Sequence, residues 1–103
     1  MKYTAEFGRL PDSMKEVIRT VVERSNPSEV VLFGSRARGD NRSNSDFDVA
    51  LRGRSCSESD WNSLVVDLAD QAGTLFSMDL VEVEKIGPDY RLNIDKEGKL
   101  LYG

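Results

Sequence analysis

Gly34-Ser35-Arg36-Ala37-Arg38-Gly39, followed five residues later by Ser45-Asp46-Phe47-Asp48, is the stretch of this 103-residue chain from which the fold is read. Just before it, Glu29 to Phe33 (EVVLF) is a short β-branched and aromatic run, the pattern of a buried strand. Gly34 to Ser45 holds two Gly, two Asn, three Ser and three Arg, which reads as a loop with one helical turn after Ser35. Asp46 to Arg52 then alternates. Phe47, Val49 and Leu51 fall on one face, and Asp46, Asp48 and Ala50 on the other.

The flanking segments supply helices. Pro11 suits a first helical turn, and Met14, Val17, Ile18, Val21 and Val22 recur at helical spacing until Asn26-Pro27 stops them. Gly53 breaks the strand that began at Asp46. Ser57 to Ala72 predicts a second amphipathic helix, with Trp61, Leu64, Val65, Leu68 and Ala72 inward, Ser57 and Asp60 as a weak capping box, and Gly73 at its C-terminal cap. Leu75 to Val83 reads as a third strand, Gly87-Pro88 as a turn, Asp89 to Asp95 as a short helix, and Lys99 to Tyr102 as a terminal strand or tail. The expected fold is one small α/β (α+β) domain over residues 1–103, with a short mixed sheet and helices packed on one side. There are no repeats, linkers or low-complexity segments.

Composition narrows the chemistry. The chain has 14 Lys+Arg against 18 Asp+Glu, a net charge of −4, so bulk-charge binding to nucleic acid is not expected. It has no histidine, which removes Ser-His-Asp and Cys-His hydrolysis and every His-ligated zinc site. Cys56 is the sole cysteine, which fits a reducing cytoplasm and excludes CxxC chemistry. No stretch approaches 18 apolar residues and no signal-peptide pattern opens the chain, so no membrane association is expected. Carboxylates, hydroxyls, Arg, Lys and backbone amides remain.

Those groups converge on the opening stretch. Asp46 and Asp48, two apart on a strand, point their carboxylates to one face. Neighbouring acids repel and raise each other's pKa unless a cation sits between them. Oxygen ligands without His or Cys favour a hard ion, Mg²⁺ or Mn²⁺, completed by water and substrate phosphates. Gly34 allows close backbone approach, Ser35 offers a hydroxyl and N–H groups to phosphate, and Arg36 and Arg38 offer bidentate donors. Asp79, in Met78-Asp79-Leu80-Val81, is the candidate third acid and the base for an attacking hydroxyl. Strand alternation groups it with Val81 and Val83, which read as core; a strand-end position or a bulge resolves that conflict.

Each residue also has a plainer reading. Aspartates two apart on a strand fit a solvated face when alone, and beside Gly-Ser-Arg they fit a site. Loop arginines such as Arg38 commonly face solvent. Arg42, Glu82, Glu84 and Lys85 read as surface, Phe33, Phe47, Trp61 and Phe76 as core, and Cys56 as inert. Neighbouring motifs fail on residues: Asp40-Asn41 stand where a P-loop needs Lys and Ser/Thr, GxGxxG is absent, and Leu51 stands where a calcium loop needs its Glu.

At these residues the chain resembles the minimal nucleotidyltransferases of the DNA polymerase β superfamily. Their pattern is Gly-Ser, ten residues, Asp-x-Asp and a later Asp. Here it stands as Gly34-Ser35, Arg36 to Ser45, Asp46-Phe47-Asp48 and Asp79. The resemblance runs from about Glu29 to Val83. It implies transfer of a nucleoside monophosphate from ATP or another NTP to a hydroxyl acceptor, with release of pyrophosphate. By match, Asp46, Asp48 and Asp79 are the catalytic and metal-binding acids for two Mg²⁺, with Mn²⁺ as the alternative. Gly34 and Ser35, with Arg36 and Arg38, hold the nucleotide. The small members of this family are similar to antitoxins paired with an all-helical HEPN toxin, so the resemblance implies adenylylation of a partner tyrosine within a homo- or hetero-oligomer. Two competing expectations stand beside it: an antitoxin that neutralises by occluding its partner, and a transferase acting on a small hydroxyl-bearing molecule.

Overall fold

The computed structural model describes residues 2–39, 47–72 and 78–103. Two segments named above, Asp40 to Asp46 and Gly73 to Ser77, lie outside these, and with them fall Arg42, Asp46, Gly73 and Phe76. Four strands form one sheet: β1 (Glu29–Phe33), β2 (Phe47–Arg52), β3 (Met78–Glu82) and β4 (Lys99–Tyr102), in the order β3-β2-β1-β4. β1 is antiparallel to both β2 and β4, whereas β2 and β3 are parallel. The sheet is therefore mixed, as the sequence predicts.

The helices are α1 (Ala5–Gly8), α2 (Asp12–Ser25), α3 (Ser35–Arg38), α4 (Glu58–Ala72) and α5 (Pro88–Glu97). α2 buries Met14, Ile18, Val21 and Val22, the stripe its period dictates. It stops at Asn26, whose φ of 47° is left-handed and whose N–H donates to Val22 O. α4 starts as its capping signal requires, with Ser57 Oγ accepting from Asp60 N at 3.1 Å. Trp61, Leu64 and Leu68 face the core, but Val65 lies on the outer flank at 41% exposure.

The main core lies between the sheet and the α2–α4 layer. Val30 and Leu32 of β1, and Phe47, Val49 and Leu51 of β2, meet Ile18, Val21, Leu64 and Leu68 there. One-sided layering holds for α1 to α4, and α5 departs from it. Ile94 of α5 joins Phe33, Ala50 and Val83 in a second cluster on the opposite face. α5 buries only Ile94 against that face. The terminal segments close on each other: Lys2 N donates to Gly103 O and Gly103 N to Lys2 O, both at 3.1 Å.

Candidate active site

β1 and β2 are joined through Gly34, and the register sets what meets there. Phe33 at the end of β1 is the partner of Asp48 near the start of β2. Across the parallel pairing, Asp48 is the partner of Asp79. Side chains in register on adjacent strands share a face about 5 Å apart. Phe33, Asp48 and Asp79 thus stand in a row on the sheet face opposite α2 and α4. The conflict over Asp79 resolves as a strand-end position. It is the second residue of β3 and exposed, while Val81, two residues on along the same face, packs against the second cluster.

Gly34 is necessary here for two reasons. Its φ of +75° is left-handed, where a side chain is strained. A β-carbon on it would also fall inside the Asp48 carboxylate, 3.1 Å from Cγ. The absence of that carbon lets the Asp48 carboxylate lie against the backbone of the bend. Gly34 O accepts from both Ala37 N and Arg38 N at 3.1 Å, which turns the chain into α3 immediately after the strand. This is the single helical turn expected after Ser35; the Ser35 hydroxyl lies outside the described residues.

The two arginines are placed differently from one another. The Arg36 guanidinium stacks over the Phe47 ring, 4.0 Å from its centroid, a cation–π contact. Phe47 belongs to the main core, so Arg36 borders a shallow cavity of about 240 Å³, shared with Glu6, Arg9 and Lys99 on the α2 side of the sheet. Arg38 Nη1 pairs with Glu97 of α5 at 3.1 Å. The structure therefore gathers Gly34, Asp48 and Asp79 on one face and sets the described contacts of Arg36 and Arg38 beside them rather than among them.

The donor set fits a hard divalent cation: two carboxylates from adjacent parallel strands with no histidine or thiol near them. Among the described residues no cluster of three or more such ligands occurs, and Asp46 lies outside them.

Beyond the opposite end of β2 and β3 lies a charged group in which Glu82 and Lys85, surface residues by sequence pattern, take part. Arg54 Nε donates to Glu82, and the two side chains are 11% and 10% exposed. Arg54 also bonds Glu58 and Cys56 O, and Lys85 reaches Glu82 at 2.7 Å and Glu58 at 3.3 Å. The hydrogen bond to Glu82 raises the Arg54 pKa further, and that from Lys85 holds Glu58 below its ordinary value. Cys56 Sγ lies 3.8 Å from Arg54 Nη1. This cluster ties the loop after β2 to the end of β3. The alternation of β3 carried no sign of it, because the pairing spans 28 residues.

The family described as Polymerase beta, Nucleotidyltransferase matches residues 15–103. The chain belongs to the polymerase β nucleotidyltransferase family. No curated protein matches it. Among solved structures, this nucleotidyltransferase domain is similar to a chain of a toxin–antitoxin crystallised with AMP-PNP. The TM-score is 0.70 at 22% identity, over 90% of this chain and 74% of that one. It also resembles a chain of the tri-AMPylated Shewanella oneidensis HEPN toxin in complex with MNT antitoxin (TM-score 0.63, 19% identity, 88% of this chain and 70% of that one). A chain of the MntA–HepT toxin–antitoxin is a third neighbour (0.62, 20%, 88% and 70%). At these identities the likeness is one of fold. Among the described residues no helix is long and apolar enough to cross a membrane.

Proposed function

We propose that this nucleotidyltransferase domain is a Mg²⁺-dependent antitoxin enzyme that moves AMP from ATP to a tyrosine hydroxyl of a HEPN-type partner. The observation that carries the proposal is the register of Asp48 with Asp79 on one face, with Gly34 pressed against Asp48. The neighbouring structures support the choice of nucleotide and partner, since one holds AMP-PNP and another is an AMPylated HEPN toxin with its MNT antitoxin.

Asp48 and Asp79, with Asp46 from the same motif, would hold the divalent ions. Bound Mg²⁺ would supply charge stabilisation to the triphosphate and to the departing pyrophosphate. The Gly34 bend brings backbone close to the phosphates, so position and charge carry most of the catalysis. The acceptor oxygen bonds to the α-phosphorus as the bond from that phosphorus to the bridging oxygen of pyrophosphate breaks. The hydroxyl proton passes to Asp79, since no histidine exists to take it.

The test is transfer of α-labelled phosphate from ATP to a co-expressed HEPN partner with Mg²⁺ present. Wild type labels the partner; Asp48→Asn and Asp79→Asn each reduce labelling by roughly 10²-fold or more. Equal labelling by wild type and both variants would defeat the proposal. A second reading, neutralisation by occlusion, draws on the net charge of −4. An Asp48→Asn/Asp79→Asn double variant that still neutralises the partner in cells would favour it.

A further inference from the structure

α5 contributes one residue to the site-bearing face that the chemistry above does not use. Tyr90 is 50% exposed, a large aromatic residue left half in solvent. Its ring meets Phe33 edge-on, with centroids 5.8 Å apart and planes at 82°. Phe33 is no remote core residue: it is the register partner of Asp48 and immediately precedes Gly34. One turn further along α5, Ile94 is fully buried in the cluster with Phe33 and Ala50. Residues four apart lie on one side of a helix, so Ile94 anchors α5 with Tyr90 turned to the same side. The contact with Phe33 holds the Tyr90 ring in place while the residue stays half exposed.

We infer that Tyr90, buttressed by Phe33, is the surface on which the nucleobase of the nucleoside triphosphate stacks. This rests on the nucleotidyltransferase reading above and adds the group that distinguishes a nucleotide from bare triphosphate. Two facts favour a base over an apolar peptide side chain: the ring packs on Phe33, the residue that precedes the glycine bend and is in register with Asp48, and its partner there is itself aromatic. Stacking on an aromatic tolerates every base, because each has a π-face, and it rewards area. Purines are accordingly held better than pyrimidines without any hydrogen-bond readout of the base edge.

The experiment measures equilibrium binding of ATP, CTP and inorganic tripolyphosphate to the full chain with Mg²⁺, in wild type, Tyr90→Ala, Tyr90→Phe and Leu92→Ala. Leu92 is exposed on the same helix and serves as the control. The expected result is that wild type binds ATP more tightly than CTP. Tyr90→Ala weakens ATP roughly 5- to 150-fold and leaves tripolyphosphate unchanged. Tyr90→Phe retains wild-type affinity, and Leu92→Ala behaves as wild type. Unchanged ATP affinity in Tyr90→Ala, an equal loss of ATP and tripolyphosphate, or the same loss in Leu92→Ala would each overturn the inference without touching the nucleotidyltransferase reading, since wild type still binds. Wild type binding neither ATP nor tripolyphosphate would remove both this inference and the reading beneath it.

Discussion

Arg54 Nε donates to Glu82 across the loop that follows β2, and both side chains are nearly out of solvent. A buried charge that loses its partner costs far more than an exposed one. Arg24 offers the comparison, because its 2.7 Å pair with Asp67 stands in solvent at 36% and 53% exposure. Glu82→Ala therefore lowers Tm clearly, whereas Asp67→Ala shifts it little. Thermal unfolding followed by circular dichroism checks the order, and equal shifts would show the Arg54 cluster to be incidental.

The same cluster gives the fold an acid-sensitive component. The Lys85 hydrogen bond, aided by Arg54, holds the Glu58 carboxyl below its ordinary value of 4.5. The unfolded chain therefore takes up this proton first as pH falls. The stabilisation is complete above about 4.5 and disappears as pH drops through the lower, folded value. Glu58→Gln flattens the fall of Tm with pH below 4.5 and leaves the slope near neutrality unchanged. Added salt shrinks the wild-type effect, because Glu58 and Lys85 face solvent.

Gly34→Ala tests the bend. The left-handed backbone alone costs about 1–2 kcal/mol with a β-carbon present. That carbon would also displace the Asp48 carboxylate. The variant melts lower and loses Mg²⁺-dependent transfer even at temperatures where circular dichroism shows it folded. Folded protein with full transfer would show that the close approach of Gly34 and Asp48 is dispensable.

Arg38 separates structure from chemistry. Its pair with Glu97 is exposed at 45% and 42%, so Arg38→Ala changes stability by only about 0–1 kcal/mol. If the loop binds phosphate, the same variant weakens ATP and tripolyphosphate alike, measurable by calorimetry. No change in either affinity would leave Arg38 no part in phosphate binding.

Much of this architecture is written in local periodicity. The EVVLF run forms a strand at Glu29–Phe33, and the alternation after it puts Phe47, Val49 and Leu51 in the core, leaving Asp48 and Ala50 on the other face. What was not legible depends on long-range pairing. Glu82 read as surface because its partner is 28 residues away. The helix over Asp89 to Asp95 is legible, but not its place on the opposite face of the sheet, because one buried residue, Ile94, gives no stripe to read. Asp79 looked misplaced among core valines until the register showed that the cluster covers the strand further along than its second residue. For the candidate site, the motif named the acids and the glycine. The stacking of Arg36 on Phe47 and the contact of Tyr90 with Phe33 needed the folded chain.

Asp48 and Asp79 become neighbours only through a parallel pairing whose two strands are separated in the chain by the 15-residue α4. A hairpin can close early and locally, but this crossover must be laid down whole before its strands can meet. A ribosome-bound chain that has exposed only the glycine bend and the first acids thus has no assembled centre. The two carboxylates can meet only after all of α4 has left the ribosome, so the row of acids is absent from any shorter nascent chain.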